Sequence, residues 1–147
     1  LMIGVLAWFE ANTTPDDLIV TSVQTADLLR FKADPGADRR LDDSVSALRV
    51  GGRDFFYLPA VWSFVTPDQI GDIIRRSLRL NPPPSDASVI LLSIGYGNQN
   101  VVYSLGNLFN GKIVSAQRTF ADYLLIQRLP VAGVQNALVP LDGENRP

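Results

Sequence analysis

The sequence predicts an α+β fold, a mainly antiparallel β-sheet with one well-capped helix at about 66–80 packed on it. Three observations point there. Glu10 and Glu144 are the only glutamates and Lys32 and Lys112 the only lysines, so charge rests almost wholly on Asp and Arg. Glu and Lys populate solvated helix faces whereas Asp prefers caps and turns, which favours strands and loops over long exposed helices. Gly51-Gly52 stands between two apolar runs, as a hairpin turn requires. The segment from Thr66 to Leu80 combines helix-start chemistry with an apolar stripe at helical spacing.

In chain order, Met2 to Phe9 is an apolar run compatible with a buried strand or a short helix. Asn12 to Pro15 make a turn. Thr14-Pro15-Asp16-Asp17 has the hydroxyl, proline and acids of a helix start, yet the β-branched residues that follow favour a strand near Leu18–Val23. A helical turn is expected through Ala26–Phe31. Residues 32–43, with a Pro-Gly pair and alternating charges, read as an exposed loop.

Leu48 to Leu58 is the predicted hairpin, with Phe56 and Leu58 on one face and Phe55 and Tyr57 on the other. Pro59 just beyond it suggests an edge strand. Thr66 and Gln69 satisfy a capping box, Pro67 takes the first helical position and Val65 can staple to Ile70. Ile70, Ile73, Ile74 and Leu78 form the stripe. Gly71 invites a close neighbour. Asn81 and three prolines stop the helix.

Ser88–Ile94, apolar almost throughout, is expected to be a central strand covered on both faces. Val101–Arg118 reads as a second hairpin turning at Asn110-Gly111, Asp122–Arg128 as a strand, and Val131–Leu141 as an extended segment ended by Pro140. The tail, 142–147, is polar.

At 147 residues, with 46% apolar and 19% charged side chains, the chain has the size and composition of a single ordered domain spanning 1–147. A net charge of −2 and an isoelectric point near 4.9 speak against a dedicated nucleic-acid binder. Leu1–Phe9 is far shorter than the roughly 20 residues of a membrane span and lacks a basic flank, so neither a transmembrane segment nor a signal peptide is expected. Leu1 before Met2 reads as a tag scar or a start codon translated as leucine. A cytoplasmic protein, or part of an assembled particle, is the default.

There is no histidine and no cysteine. Within this chain that excludes Ser-His-Asp and Cys-His catalysis, the common zinc sites and thiol redox chemistry. Gly95-Tyr96-Gly97-Asn98 follows a predicted strand, but a phosphate loop needs a helix start directly after it, and none is expected. Asp34, Asp38, Asp42 and Asp43 lack the spacing of a calcium loop and read as solvated loop acids. Glu10 has no partner marked out by spacing. Arg75, Arg76 and Arg79 suit the carboxyl end of a helix.

The contiguous rings of Phe55, Phe56 and Tyr57 need cover on both faces, from the chain itself or from a partner. The expected function is therefore a non-enzymatic structural or assembly subunit of a multi-subunit particle, such as a virion component, working through protein interfaces. Its partners would be copies of itself or other subunits, without membrane or nucleic acid. The candidate interface residues are Phe55, Tyr57, Trp62, Arg75, Arg76 and Arg79; no catalytic residue, metal or cofactor is assigned. The alternative is a small binding or adaptor module for a protein or small ligand, marked by an apolar groove on a polar surface. A carboxylate- or metal-dependent enzyme stands third.

Overall fold

Leu18–Ser22 is buried at every position, as only a strand at the centre of a covered sheet can be, and the architecture is arranged around it. The computed structural model describes residues 2–36, 38–58, 62, 65–95, 97–110, 116–120 and 124–144. Among these the elements run α1 (Met2–Asn12), β1 (Leu18–Ser22), α2 (Val23–Leu29), a 3-10 turn (Arg30–Lys32), β2 (Asp38–Arg40), β3 (Ser46–Val50) and β4 (Arg53–Leu58). There follow α3 (Pro67–Leu80), β5 (Ser88–Ile94), α4 (Gly97–Phe109), β6 (Ala116–Phe120), β7 (Leu124–Pro130) and α5 (Val131–Glu144). The strands form one sheet in the order β2-β3-β4-β1-β5-β7-β6.

The sheet is mixed. β1 pairs in parallel with both β4 and β5, whereas β2–β3, β3–β4, β5–β7 and β6–β7 are antiparallel. The fold class is thus α+β with a mixed sheet and, among the described residues, five α-helices; the expectation of a mainly antiparallel sheet with one helix is corrected. The chain between β4 and β5 passes over β1 as α3, the usual helical crossover between parallel strands.

Three segments account for the difference. The open segment 2–9 lies within α1, whose Val5 and Phe9 point into the core one turn apart. The predicted hairpin at Val101–Arg118 is instead α4 followed by β6. Val101, Leu105 and Phe109 recur every four residues and are all buried, so a helical stripe on the sheet outweighs the local preference of valines for strands. Asn110, with φ 45°, ends that helix in the left-handed conformation; Gly111 lies outside the described residues. Val131–Leu141, expected to be extended, lies in α5, which buries Val131, Val134 and Leu138 and runs through Pro140 into the first residues of the polar tail.

Three other expectations agree, and two do so only in part or not at all. Gly51 and Gly52, at φ 58° and 77°, turn the β3–β4 hairpin. The Thr66–Gln69 capping box closes in both directions. A Cβ on Gly71 would meet Leu108 Cδ1 at 3.3 Å, so α3 and α4 do approach closely there. The segment 32–43 is largely exposed but contains the three-residue β2, so it is not wholly loop. β4 lies between β3 and β1 and is no edge strand, contrary to the hint from Pro59, itself outside the described residues.

Each face of the sheet carries its own core. Phe56, Leu58, Val89 and Leu91 pack with α3, α4 and α5, whereas Phe55, Tyr57, Ile90 and Leu92 pack with α1 and α2.

Candidate functional site

The helical cover on the two faces is unequal. Seven strands at about 4.8 Å spacing make a sheet about 29 Å wide, and a helix with its side chains covers about 10 Å. Three helices of 13 or 14 residues therefore suffice for one face. On the other, α1 has 11 residues and α2 only 7. What they leave open is a groove of about 390 Å³ between α1 and the β3–β4 turn.

The groove is built from ordinary parts. Phe9, Val50 and Phe55, all buried, form its floor, with the Phe9 and Phe55 rings meeting edge to face at 5.2 Å. Ile3, Leu6 and Ala7 line it from α1. Glu10, Lys32, Asp34 and Arg53 complete the rim, two charges of each sign. Arg53 locks the amino end of β4 to the end of α1, its Nε donating to Thr13 Oγ1 at 2.8 Å and its Nη2 to the Thr13 carbonyl at 2.8 Å. On the far side of α1, Arg128 donates to the Asn12 carbonyl and lies over the Trp8 ring at 5.7 Å. Two arginines thus pin one helix. Lys32 lies 5.7 Å from the Phe31 ring centre, and among the described residues neither Glu10 nor Lys32 enters an ion pair.

The mouth of the groove is apolar as well. Ile3 is 72% exposed, and Phe31, next to the rim residue Lys32, is 69% exposed. Bulky side chains in that state are informative where they adjoin an apolar depression.

The six residues singled out from sequence are not brought together. Phe55 is buried in the groove floor. Tyr57, on the same face, donates its hydroxyl to Asp38 at 2.8 Å and receives a hydrogen bond from Arg30, which also pairs with Asp38 and, at 3.3 Å, with Asp27. The hydrogen bond to Tyr57 and the contact with Asp38 push the Arg30 pKa further above its ordinary value against the cost of burial, so the guanidinium keeps its charge. Trp62 is buried on the opposite face, in the core under α3. Arg76 pairs with Asp72 at 3.0 Å and donates to Ser44 Oγ at 2.7 Å, Arg75 is half-buried, and Arg79 is exposed in the last turn of α3. The second aromatic face that needed cover finds it inside the chain, under α1 and α2.

At the carboxyl ends of the parallel strands, where open α/β sheets usually hold ligands, the hydroxyls of β1 serve the fold. Ser22 Oγ caps α2 by accepting from Thr25 N, and Thr21 Oγ1 donates to the Leu92 carbonyl at 2.7 Å. Contrary to the sequence reading, Gly95-Tyr96-Gly97-Asn98 does lead directly into a helix, since α4 starts at Gly97; Tyr96 lies outside the described residues. The loop aspartates are engaged structurally. Asp38 serves Tyr57 and Arg30, while Asp42 accepts from the backbone of Ser44 and Val45. Among the described residues no three acids gather where a metal could sit.

Sequence reasoning missed Ile3, Leu6, Ala7, Lys32 and Arg53, and read Asp34 only as a solvated loop acid. The only local signal was Phe31, an aromatic at the start of a charged loop; that α1 lies opposite the diglycine turn is a long-range fact. Compared with known proteins, the chain matches no family model, no curated protein and no solved structure.

Proposed function

We propose that this chain is a non-enzymatic interaction protein, a structural or assembly subunit that binds protein partners through the groove beside α1. The observation that carries this reading is the groove itself: an apolar floor, exposed Ile3 in its lining, exposed Phe31 against the rim residue Lys32, and a rim of mixed charge. Apolar depressions rimmed by polar groups are the usual form of protein docking sites. A chain without imidazole or thiol has little to offer as a proton shuttle or nucleophile near neutrality, and shape is what it can use instead. Such a subunit would work in the cytoplasm or within an assembled particle; among the described residues no helix is long and apolar enough to cross a membrane.

A second reading, a binding module for a small ligand, is favoured by size, because about 390 Å³ falls in the range of small-molecule pockets. Both readings place binding in the same groove. The test is the fluorescence of Nile red with dilute protein. Ala7→Arg, at an exposed groove-lining position, is expected to abolish the enhancement seen with the native chain. Equal enhancement by both proteins would remove the groove from consideration.

A further inference from the structure

We propose that the occupant of the groove is a second copy of this chain, docked about a two-fold axis so that Phe31 of each copy seats in the groove of the other. The inference rests on the interaction reading and goes further by naming the partner. Two features single out self-pairing.

The first is that one surface carries both a knob and a hole. Phe31 is 69% exposed, and the ammonium of the groove-lining Lys32 lies 5.7 Å from its ring centre, so the ring stands beside the groove's rim. A two-fold interface needs a patch that is complementary to itself, with each contact made twice. The groove volume of about 390 Å³ leaves room for an aromatic side chain.

The second is the sign of the rim. A groove built for an acidic or a basic partner would carry an excess of the opposite charge, but this rim holds Glu10 and Asp34 against Lys32 and Arg53. Equal numbers of both signs suit a partner bearing the same set. Because Lys32 follows Phe31 directly, a seated Phe31 delivers its Lys32 to the carboxylates of the other copy. Among the described residues Glu10 and Lys32 are in no ion pair, so pairing between copies exchanges the Lys32–Phe31 ring contact for an ion pair and breaks no ion pair within either.

Sedimentation equilibrium from micromolar to millimolar concentration tests this. The native chain is expected to approach twice its 16.1 kDa mass as concentration rises. Phe31→Ser removes a side chain that contributes nothing to the core, so the fold should persist by circular dichroism while dimerisation weakens about 100-fold, the ring being buried twice per dimer. Glu10→Lys and Lys32→Glu should each weaken dimerisation about 2- to 5-fold, and the double variant should restore it.

A native chain that stays monomeric overturns the proposal, as does a dimer indifferent to Phe31→Ser or a double variant no better than the singles. If the native chain is a monomer but Ala7→Arg still abolishes dye binding, self-pairing fails and the interaction reading survives with another occupant. If the dye is indifferent too, both fail.

Discussion

On one face of the sheet α3, α4 and α5 lay down three helices of 13 or 14 residues; on the other, α1 and α2 supply 11 and 7. The first face is closed by helix against helix, with Gly71 of α3 letting Leu108 of α4 come close. The second is closed partly by hydrogen-bonded ties from arginines, Arg53 to Thr13 on one side of α1 and Arg128 to Asn12 on the other. The difference teaches where to look for function. Among the described residues the groove lies away from the carboxyl ends of the parallel strands, where the helical cover is too narrow for the sheet.

Adjacent residues of β4 give the sharpest test, because Phe56 and Phe55 point to opposite faces. Phe56→Ala should cost about 3–5 kcal/mol by urea unfolding, since its closed surroundings cannot collapse onto the void. Phe55→Ala should lie near the bottom of that range, because the space it leaves joins a groove already open to water. The reverse order would break the comparison.

A smaller effect is expected at the ties. Arg53→Ala removes two hydrogen bonds from a partly exposed guanidinium and should cost about 1–2 kcal/mol. Amide exchange in α1 should accelerate while that in α3 is unchanged. Uniform acceleration would mean that α1 is no less firmly held than the closed face.

The smallest effect concerns Asp42, below the closed face, where Ser44 joins it to Arg76 of α3. Hydrogen bonds from the Ser44 and Val45 backbone hold its carboxylate below the ordinary aspartate pKa. A depressed carboxylate contributes stability that is present above its unfolded pKa and lost as pH falls through the folded one. Asp42→Asn should therefore flatten the fall in the urea midpoint on the acid side of about pH 4 and leave it unaltered in slope near neutrality. An unchanged acid limb would show that the Asp42 carboxylate adds no net stability to this turn.

Several elements were fully legible in the chain because their signals are local. The Thr66–Gln69 box, Pro67 and the isoleucine stripe specify α3 within one helix length, and Gly51-Gly52 specify the hairpin through backbone freedom alone. The alternation of Phe55 and Tyr57 with Phe56 and Leu58 follows from the pleat. The absence of histidine and cysteine is likewise a property of the sequence, and it limits the chemistry whatever the fold.

Tertiary structure decided the rest. Val101, Leu105 and Phe109 fit a helical stripe, but the valines and Asn110-Gly111 fit a hairpin equally well, and only burial against β5 and α3 breaks the tie. Parallel pairing of β1 joins residues more than thirty positions apart, which no local pattern encodes. The groove is further removed still. It exists because a wide sheet meets a narrow pair of helices, and the width of each layer is known only once every strand has found its neighbour.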